Sequence, residues 1–180
     1  LTSPEPTLDA RPFIIAAGVE GLSLIPADRN LTGAEIEMVG LPSREERLRL
    51  FLESTRAEHD YVFVDCPPSL GILMTNALAA ADELFIPLQC EYFALEGLSK
   101  IDQVVSQIRS CGANPGLSIS GILMTMFMRN NLAQQVITEV QNHFGDVIYR
   151  TVIPRSVRLG EAPSHGKPII EYEPNGLGAT

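Results

Sequence analysis

The chain has 180 residues, of which 45% are hydrophobic, and a formal net charge of −9 at pH 7. This length and composition suffice for one domain with a sizeable core. The acidic balance excludes a surface that binds nucleic acid over its whole extent, because such binding depends on Lys and Arg. No apolar run reaches the roughly 20 residues that cross a bilayer, so we expect a cytoplasmic protein that does not enter a membrane. The three cysteines are too widely spaced for a disulfide framework or a zinc knuckle.

Residues 1–21 are predicted to be a polar, proline-rich lead-in and linker, and residues 22–180 to form the folded domain. From Leu22 onward, short apolar runs alternate with segments of helical period. This alternation predicts an α/β fold with a mostly parallel, doubly wound sheet that helices flank. The predicted strands lie at residues 22–25, 61–64, 84–88, 119–124 and 147–153.

The helices are predicted from capping residues and from apolar periodicity. Two capping-box signatures, Thr32-x-x-Glu35 and Ser43-x-x-Glu46, predict helices that begin near residues 33 and 44, the second continuing to about residue 57. Further helices are predicted at residues 72–81, 95–110 and 132–144, the last two with apolar stripes that face the core. Residues 154–173 show little periodicity and are predicted to form a long loop.

Asp65 is the first candidate for a functional residue. It follows the apolar run 61–64 and precedes Cys-Pro-Pro-Ser-Leu-Gly, and α/β sheets bind ligands at the carboxyl ends of their strands. Such a carboxylate suits a hydrated Mg²⁺ beside a nucleotide phosphate, although it could equally cap the next helix. The paired prolines stiffen the turn, and Gly71 allows the backbone to approach a ligand closely.

The phosphate-binding loop that normally accompanies such a carboxylate, G-x-x-x-x-G-K-[ST], is missing from the 180 residues. The nearest sequence, residues 160–168, has one residue too many between its glycines and ends in Pro168, which carries no hydroxyl. The chain is therefore predicted to hold half of a nucleotide site. Residues 86–91 form a second strand end that we expect at the same sheet edge, unless their polar groups only cap a helix.

Two other kinds of site are weaker alternatives. Residues 67–71 are one residue away from the G-x-S-x-G nucleophile elbow, which would make Ser69 the nucleophile of an α/β-hydrolase with His165 downstream. Pro67 in place of the first glycine disfavours that alternative, because the strained elbow has no room for a proline ring. The three histidines have no metal-ligand spacing with one another or with the cysteines.

Three stretches resemble the ParA/Soj family of chromosome and plasmid partition ATPases, a deviant-Walker branch of the P-loop proteins. They are residues 61–71 (YVFVDCPPSLG), 85–98 (FIPLQCEYFALEGL) and 152–168 (VIPRSVRLGEAPSHGKP). The resemblance implies an ATPase that uses ATP and Mg²⁺, forms a homodimer, binds DNA non-specifically at the nucleoid and is stimulated by a ParB/Spo0J-type centromere-binding protein. Whether it would serve a chromosome or a plasmid stays open.

The resemblance also assigns roles to single residues. Asp65 would order Mg²⁺ through a water molecule, as the Walker B residue does. The switch that follows the γ-phosphate would comprise Pro67, Pro68, Ser69 and Gly71. The adenine pocket would be lined by Thr125, Met126, Ile153, Pro154 and Arg155. The DNA-facing charges would be Arg129, Arg158 and Lys167, and the dimer interface would include Gln89, Glu91, Tyr92 and Glu96.

The resemblance further implies that residues 22–180 are a partial nucleotide-binding domain, from which the N-terminal strand, the phosphate loop and a C-terminal helix are absent. We therefore expect an N-terminally truncated ATPase that is inactive alone and binds neither ATP nor Mg²⁺ tightly. The alternative is a non-catalytic interaction module that pairs with an intact homologue.

Overall fold

The computed structural model describes residues 1–2, 9–67 and 69–179 of the chain. The chain divides into two units, each with its own internal contacts. The first comprises Leu1–Asp82 and Ser106–Leu117, and the second comprises Glu83–Val105 and Ser118–Thr180. The predicted proline-rich start, residues 3–6, lies outside the described residues.

In its described residues up to Asp82, the first unit contains a short antiparallel ribbon and three α-helices. Strand β1 (Ile15–Ala16) pairs with β2 (Ser23–Leu24). The helices are α1 (Asn30–Glu37), α2 (Arg47–Glu53) and α3 (Ile72–Ala80). Single 3-10 turns lie at Arg11–Phe13, Met38–Gly40, Arg44–Glu46 and Arg56–Glu58. The strand predicted at residues 22–25 therefore exists only in part, and its partner is antiparallel.

The strand predicted at residues 61–64 is absent from the described structure. Tyr61 and Phe63 are 81% and 91% exposed, and no strand pairs with this segment in the described part of the chain. A strand satisfies its backbone N–H and C=O groups only through a neighbour. Apolar content alone therefore does not produce a strand here, and the prediction that Asp65 ends a buried parallel strand is wrong.

Both predicted capping boxes are also wrong. Helix α1 begins at Asn30, before Thr32, and the Asp28 carboxylate accepts the Asn30 N–H at 2.8 Å. Ser43 adopts a left-handed φ of 50° and caps nothing with its side chain. Its carbonyl instead accepts the Glu46 N–H at 2.9 Å, which starts a 3-10 turn ahead of α2. The long helix predicted up to residue 57 is consequently split into three short pieces.

The second unit is built on a parallel sheet of three strands, which confirms the predicted α/β fold class. The strands β3 (Glu83–Gln89), β4 (Ser118–Phe127) and β5 (Ile148–Pro154) lie in that order, with β4 in the middle. Helix α4 (Tyr92–Ser110) follows β3, and α5 (Asn131–Phe144) connects β4 to β5. The chain then forms α6 (Val157–Glu161), a 3-10 turn at Ala162–His165 and α7 (Ile169–Tyr172), with a further 3-10 turn at Gly145–Val147 before β5.

One face of this sheet carries the core of the second unit. Alternate residues of β3 and β4 pack against α4 and α5, as period-two strands facing amphipathic helices should. The buried members are Ile86, Leu88, Cys90, Leu98, Ile122, Met124, Ala133, Val136, Ile137 and Val140. Leu132, which the apolar spacing assigns to the α5 stripe, is 44% exposed.

The tail is more regular than its sequence predicts. Residues 154–173 contain α6, a 3-10 turn and α7 rather than one long loop. The Ser156 hydroxyl accepts the Arg158 N–H and begins α6, and Gly166 ends the 3-10 turn with a left-handed φ of 64°. Helices of four and five residues are too short to show a 3.6-residue period, so the pattern could not reveal them.

Candidate functional site

Asp65 lies on the surface of the first unit. Asp65, Pro67 and Ser69 are exposed, and Pro68 lies outside the described residues. Asp65 makes no ion pair in the described part of the chain, so its carboxylate is available to water or to a hydrated cation. Its role in binding magnesium stays a prediction, as do the switch roles of Pro67, Ser69 and Gly71.

The Asp65 carboxylate influences the neighbouring thiol. Cys66 is half-buried, and its Sγ donates weakly to the Val64 carbonyl at 3.6 Å. Burial raises the pKa of the Cys66 thiol, and the negative charge of Asp65 raises it further. Cys66 is therefore a poor nucleophile at neutral pH.

The turn ends at Gly71, against the carboxylate of Glu35. A Cβ at Gly71 would lie 2.5 Å from Glu35 Oε1, so only glycine fits here without movement of Glu35. Gly71 also precedes α3, where a carboxylate is stabilised by the positive end of the helix dipole. A cavity of about 300 Å³ opens beside this contact, with a wall of Glu35, Val39, Arg44, Glu45, Leu70, Gly71, Ile72 and Thr75.

A buried asparagine fixes the start of α3. The Asn76 side chain, 1% exposed, donates through Nδ2 to the Arg44 carbonyl at 2.7 Å and to the Ile72 carbonyl at 2.9 Å. Its Oδ1 accepts the Leu48 N–H at 3.0 Å. Asn76 thus links α3 to the start of α2 by hydrogen bonds. These bonds hold in place the first residues of α3, at which the preceding turn ends.

In the second unit, the carboxyl ends of the three parallel strands meet at one edge. The Cys90 N–H donates to the Thr125 carbonyl, and the Arg155 N–H donates to the Phe127 carbonyl, each at 3.0 Å. Arg155 Nη1 lies 4.0 Å from Glu91 Oε1. This edge is where parallel sheets bind ligands, and it brings together the residues predicted for the adenine pocket, namely Thr125, Met126, Ile153, Pro154 and Arg155.

Met126 has an unusual backbone conformation at this edge. Its φ is 51°, a left-handed value that is uncommon for residues other than glycine. The hydrogen bonds to the carbonyls of Thr125 and Phe127 hold it on both sides. Strained residues of this kind concentrate at ligand-binding sites, which supports a site here.

The predicted dimer-interface residues are exposed at the end of β3 and on the first turns of α4. Tyr92 and Phe93 are 68% and 77% exposed, and their ring centroids lie 5.6 Å apart in an edge-on arrangement. Glu96 forms an ion pair with Lys100 at 2.7 Å, whose hydrogen bond lowers the pKa of the carboxyl group. Exposed aromatic residues of this kind are typical of protein interfaces.

The three predicted DNA-facing cations differ in their surroundings. Arg129 and Lys167 are exposed and form no ion pair within the described part of the chain. Arg158 Nη1 donates to Glu161 Oε2 at 2.8 Å, and Arg158 Nε lies 3.5 Å from Glu173 Oε1. The Tyr172 hydroxyl donates to the same Glu161 oxygen at 3.4 Å. These contacts raise the pKa of Arg158, and the hydrogen bond to Glu161 makes the largest contribution.

Glu161, Glu173 and Glu35 contact predicted site residues, and none of these contacts was predicted from the sequence. Arg158 and Glu161 have the i,i+3 spacing of a helical ion pair, which could have been found had α6 been predicted. The other two contacts are non-local and leave no signal in the sequence. Among the described residues, no group of three or more His, Cys, Asp or Glu side chains could hold a metal ion.

Comparison with known proteins identifies the family. The AAA domain family matches residues 7–119. The sporulation initiation inhibitor protein Soj of Bacillus subtilis is 53% identical over 172 residues, which cover 95% of this chain and 68% of the relative. The chain belongs to the ParA/Soj family of chromosome-partitioning ATPases. The chromosome partitioning protein ParA of Myxococcus xanthus is 52% identical over 84% of this chain and 54% of its own length.

Solved structures share the fold of this chain. Cobyrinic acid a,c-diamide synthase from Mycobacterium smegmatis, crystallised with ADP and magnesium, has a TM-score of 0.73 at 32% identity and covers 81% of this chain and 59% of its own. Apo McdA from Cyanothece has a TM-score of 0.83 at 21% identity, over 96% of this chain and 73% of its own, and shares the fold.

The chain spans 54% to 68% of the length of the first curated relatives it matches. Within the described residues, none of the helices has the length and apolar character that a membrane span requires.

Proposed function

We propose that this chain is the part of a partition ATPase that supplies the base-binding sheet edge, the magnesium-ordering carboxylate and the DNA-facing charges. A segment outside these 180 residues supplies the phosphate loop. The carboxyl edge of the parallel sheet carries this proposal, because Thr125, Met126 and Arg155 lie together there at the usual ligand position of an α/β fold.

ATP with Mg²⁺ is the proposed ligand. The exposed Asp65 carboxylate suits an outer-sphere contact, in which magnesium keeps its waters and binds mainly to phosphate oxygens. The structural relative that holds ADP and magnesium supports this ligand class. Because the 180 residues contain no phosphate loop, they bind ATP and Mg²⁺ weakly and do not hydrolyse ATP alone.

The base pocket is tested by photolabelling with 8-azido-ATP. The chain is joined at Leu1 to the phosphate-loop segment of the Bacillus subtilis relative and illuminated with and without excess ATP. We expect ATP-protected label on peptides from the ends of β4 and β5, around Met126 and Arg155, and none on α5. Protected label confined to other peptides would contradict this assignment of the pocket.

Dimerisation through Gln89, Glu91, Tyr92 and Glu96 is proposed for the ATP-bound state. The exposed pair Tyr92 and Phe93 supports it, since large aromatic side chains anchor interfaces. Tyr92→Ala should weaken the ATP-dependent dimer of the joined protein in sedimentation experiments. Leu132→Ala, another exposed apolar side chain, is the control and should leave the dimer unchanged. Equal dimerisation of wild type and Tyr92→Ala would argue against this surface.

DNA segregation is the proposed cellular role, with non-specific DNA binding at the nucleoid and a ParB/Spo0J-type partner that stimulates turnover. Binding is proposed to use Arg129, Arg158 and Lys167. Replacing Arg129 by Ala should weaken binding of all duplex sequences alike and reduce the salt dependence of log K by about 0.9. Lys100→Ala, whose charge is already paired with Glu96, serves as the control.

A non-catalytic module that pairs with an intact homologue is the second candidate. Two observations favour this candidate: Tyr92 and Phe93 form an exposed aromatic pair, and the 180 residues contain no phosphate-loop motif. Co-purification with an intact family member, but no DNA or nucleotide binding by the joined protein, would select this candidate. The hydrolase alternative is tested by Ser69→Ala, which should abolish an esterase and leave an ATPase active.

A further inference from the structure

Arg158 is the only one of the three proposed DNA-facing cations that is paired with carboxylates in the described part of the chain. Its guanidinium contacts Glu161 at 2.8 Å and Glu173 at 3.5 Å. Arg158 and Glu161 are neighbours on α6, whereas Glu173 follows α7. The contact with Glu173 therefore depends on how the tail folds back on itself.

The tail is held in this arrangement by further contacts. The Tyr172 hydroxyl donates to Glu161 at 3.4 Å, and the Tyr172 ring stacks on His165 with centroids 5.0 Å apart. The Lys167 N–H donates to the Ala162 carbonyl at 3.2 Å, which closes the turn between α6 and α7. Glu161 and Glu173 are thereby kept on opposite parts of one guanidinium.

We propose that Glu161 and Glu173 form an acidic clamp that restrains Arg158 from binding nucleic-acid phosphate and so sets the DNA affinity of the tail. This inference rests on the proposed DNA-binding function. Arg158 carries one positive charge and the two carboxylates carry two negative charges, so the group repels phosphate until the clamp opens.

Donor geometry supports the same conclusion. A guanidinium binds phosphate best through two parallel N–H groups. The parallel N–H pairs of a guanidinium are Nε with Nη2 and Nη1 with Nη2. Glu161 contacts Nη1 and Glu173 contacts Nε, so each pair has one donor directed towards a carboxylate. Phosphate must therefore replace at least one carboxylate to be bound through either pair. All three side chains are partly exposed, so the exchange involves weak surface ion pairs and is readily reversible.

The clamp is tested by fluorescence anisotropy with a labelled non-specific DNA duplex, using the full 180-residue chain at low salt and the joined protein with ATP and Mg²⁺. Glu161→Gln and Glu173→Gln should each tighten binding by about two- to fivefold, the range expected for one exposed ion pair. The matched control is Glu171→Gln, which removes one charge from α7 at an exposed residue without an ion pair in the described chain. It should change affinity less.

A mutant cycle with Arg158→Ala separates the clamp from general charge effects. In the Arg158→Ala background, Glu161→Gln should raise DNA affinity no more than Glu171→Gln does. The salt dependence of log K should become steeper by about 0.9 in Glu161→Gln, because Arg158 then contributes a phosphate contact.

The outcomes distinguish the clamp from the proposed function. Tighter binding by both glutamine variants that requires Arg158 supports the clamp, even if wild type alone binds too weakly to measure. Unchanged or weaker binding by these variants, with wild-type binding still sensitive to Arg129→Ala, overturns the clamp and leaves the DNA function intact. Absence of binding by every protein in both formats overturns the DNA function and the clamp with it.

Discussion

Replacing Asn76 by Ala tests how the first unit supports the turn between Asp65 and α3. The side chain makes three hydrogen bonds from an almost fully buried position, to Arg44, Ile72 and Leu48. The Ile72 carbonyl keeps the partner that the α3 ladder provides. The Arg44 carbonyl and the Leu48 N–H, however, lose a hydrogen-bond partner inside the unit.

The expected cost follows from these two groups. Leaving a buried polar group unsatisfied costs about 1–3 kcal/mol, so with two such groups Asn76→Ala should lower the free energy of unfolding of the first unit by about 2–6 kcal/mol. Asn76→Asp should cost more, because a carboxylate cannot donate to the Arg44 and Ile72 carbonyls and would bury a charge.

The assay is urea unfolding followed by far-UV circular dichroism, combined with hydrogen exchange of the Leu48 amide. The matched control is Asn142→Ala, at an exposed residue of α5, which should not lower stability. A loss under about 1 kcal/mol for Asn76→Ala, or a Leu48 amide that exchanges as slowly as in wild type, would show that Asn76 does not fix the start of α3.

Three further predictions concern packing, strain and a thiol. Gly121→Ala should lower the free energy of unfolding by about 1–3 kcal/mol, because the new Cβ collides with the Tyr149 ring. The same substitution should cost less in a Tyr149→Ala background, and equal costs in both backgrounds would exclude that collision. Met126→Gly should be about 1 kcal/mol more stable than Met126→Ala in urea unfolding, since φ at this residue is 51°. A Met126→Ala variant that is more stable than Met126→Gly would contradict backbone strain at this residue. The pKa of the Cys66 thiol is raised by burial and by the charge of Asp65. Asp65→Asn should therefore lower that pKa and speed the reaction of Cys66 with maleimide at pH 8. An unchanged labelling rate would contradict the effect of the Asp65 charge.

The sheet of the second unit could be predicted from the sequence because its pattern and its environment agree. Residues 84–88 and 119–124 alternate or run apolar, and each lies next to another strand in the structure. The α4 stripe was predicted for the same reason, and Leu98 and Val105 are buried. The position of candidate ligand residues at the carboxyl edge then follows from parallel pairing alone.

The strand prediction for residues 61–64 is wrong because a strand forms only where a neighbouring strand accepts and donates its backbone hydrogen bonds. Their apolar pattern is that of a buried strand, but no described strand pairs with them. The capping boxes failed similarly, since an alternative turn at Asp28 and a left-handed Ser43 fix the backbone instead. The Arg158 clamp could not be predicted, because Glu173 reaches Arg158 only through the folded tail.

ATP hydrolysis, measured side by side for the 180-residue chain and for the chain joined to a family phosphate loop, tests the proposed function most directly. That function predicts no turnover above buffer for the chain alone and magnesium-dependent turnover for the joined protein. Asp65→Ala should lower that turnover by about 10- to 100-fold, as loss of a group that orients metal-bound water does, whereas Asp60→Ala should not. Turnover by the chain alone, or turnover in the joined protein that survives Asp65→Ala, would contradict it.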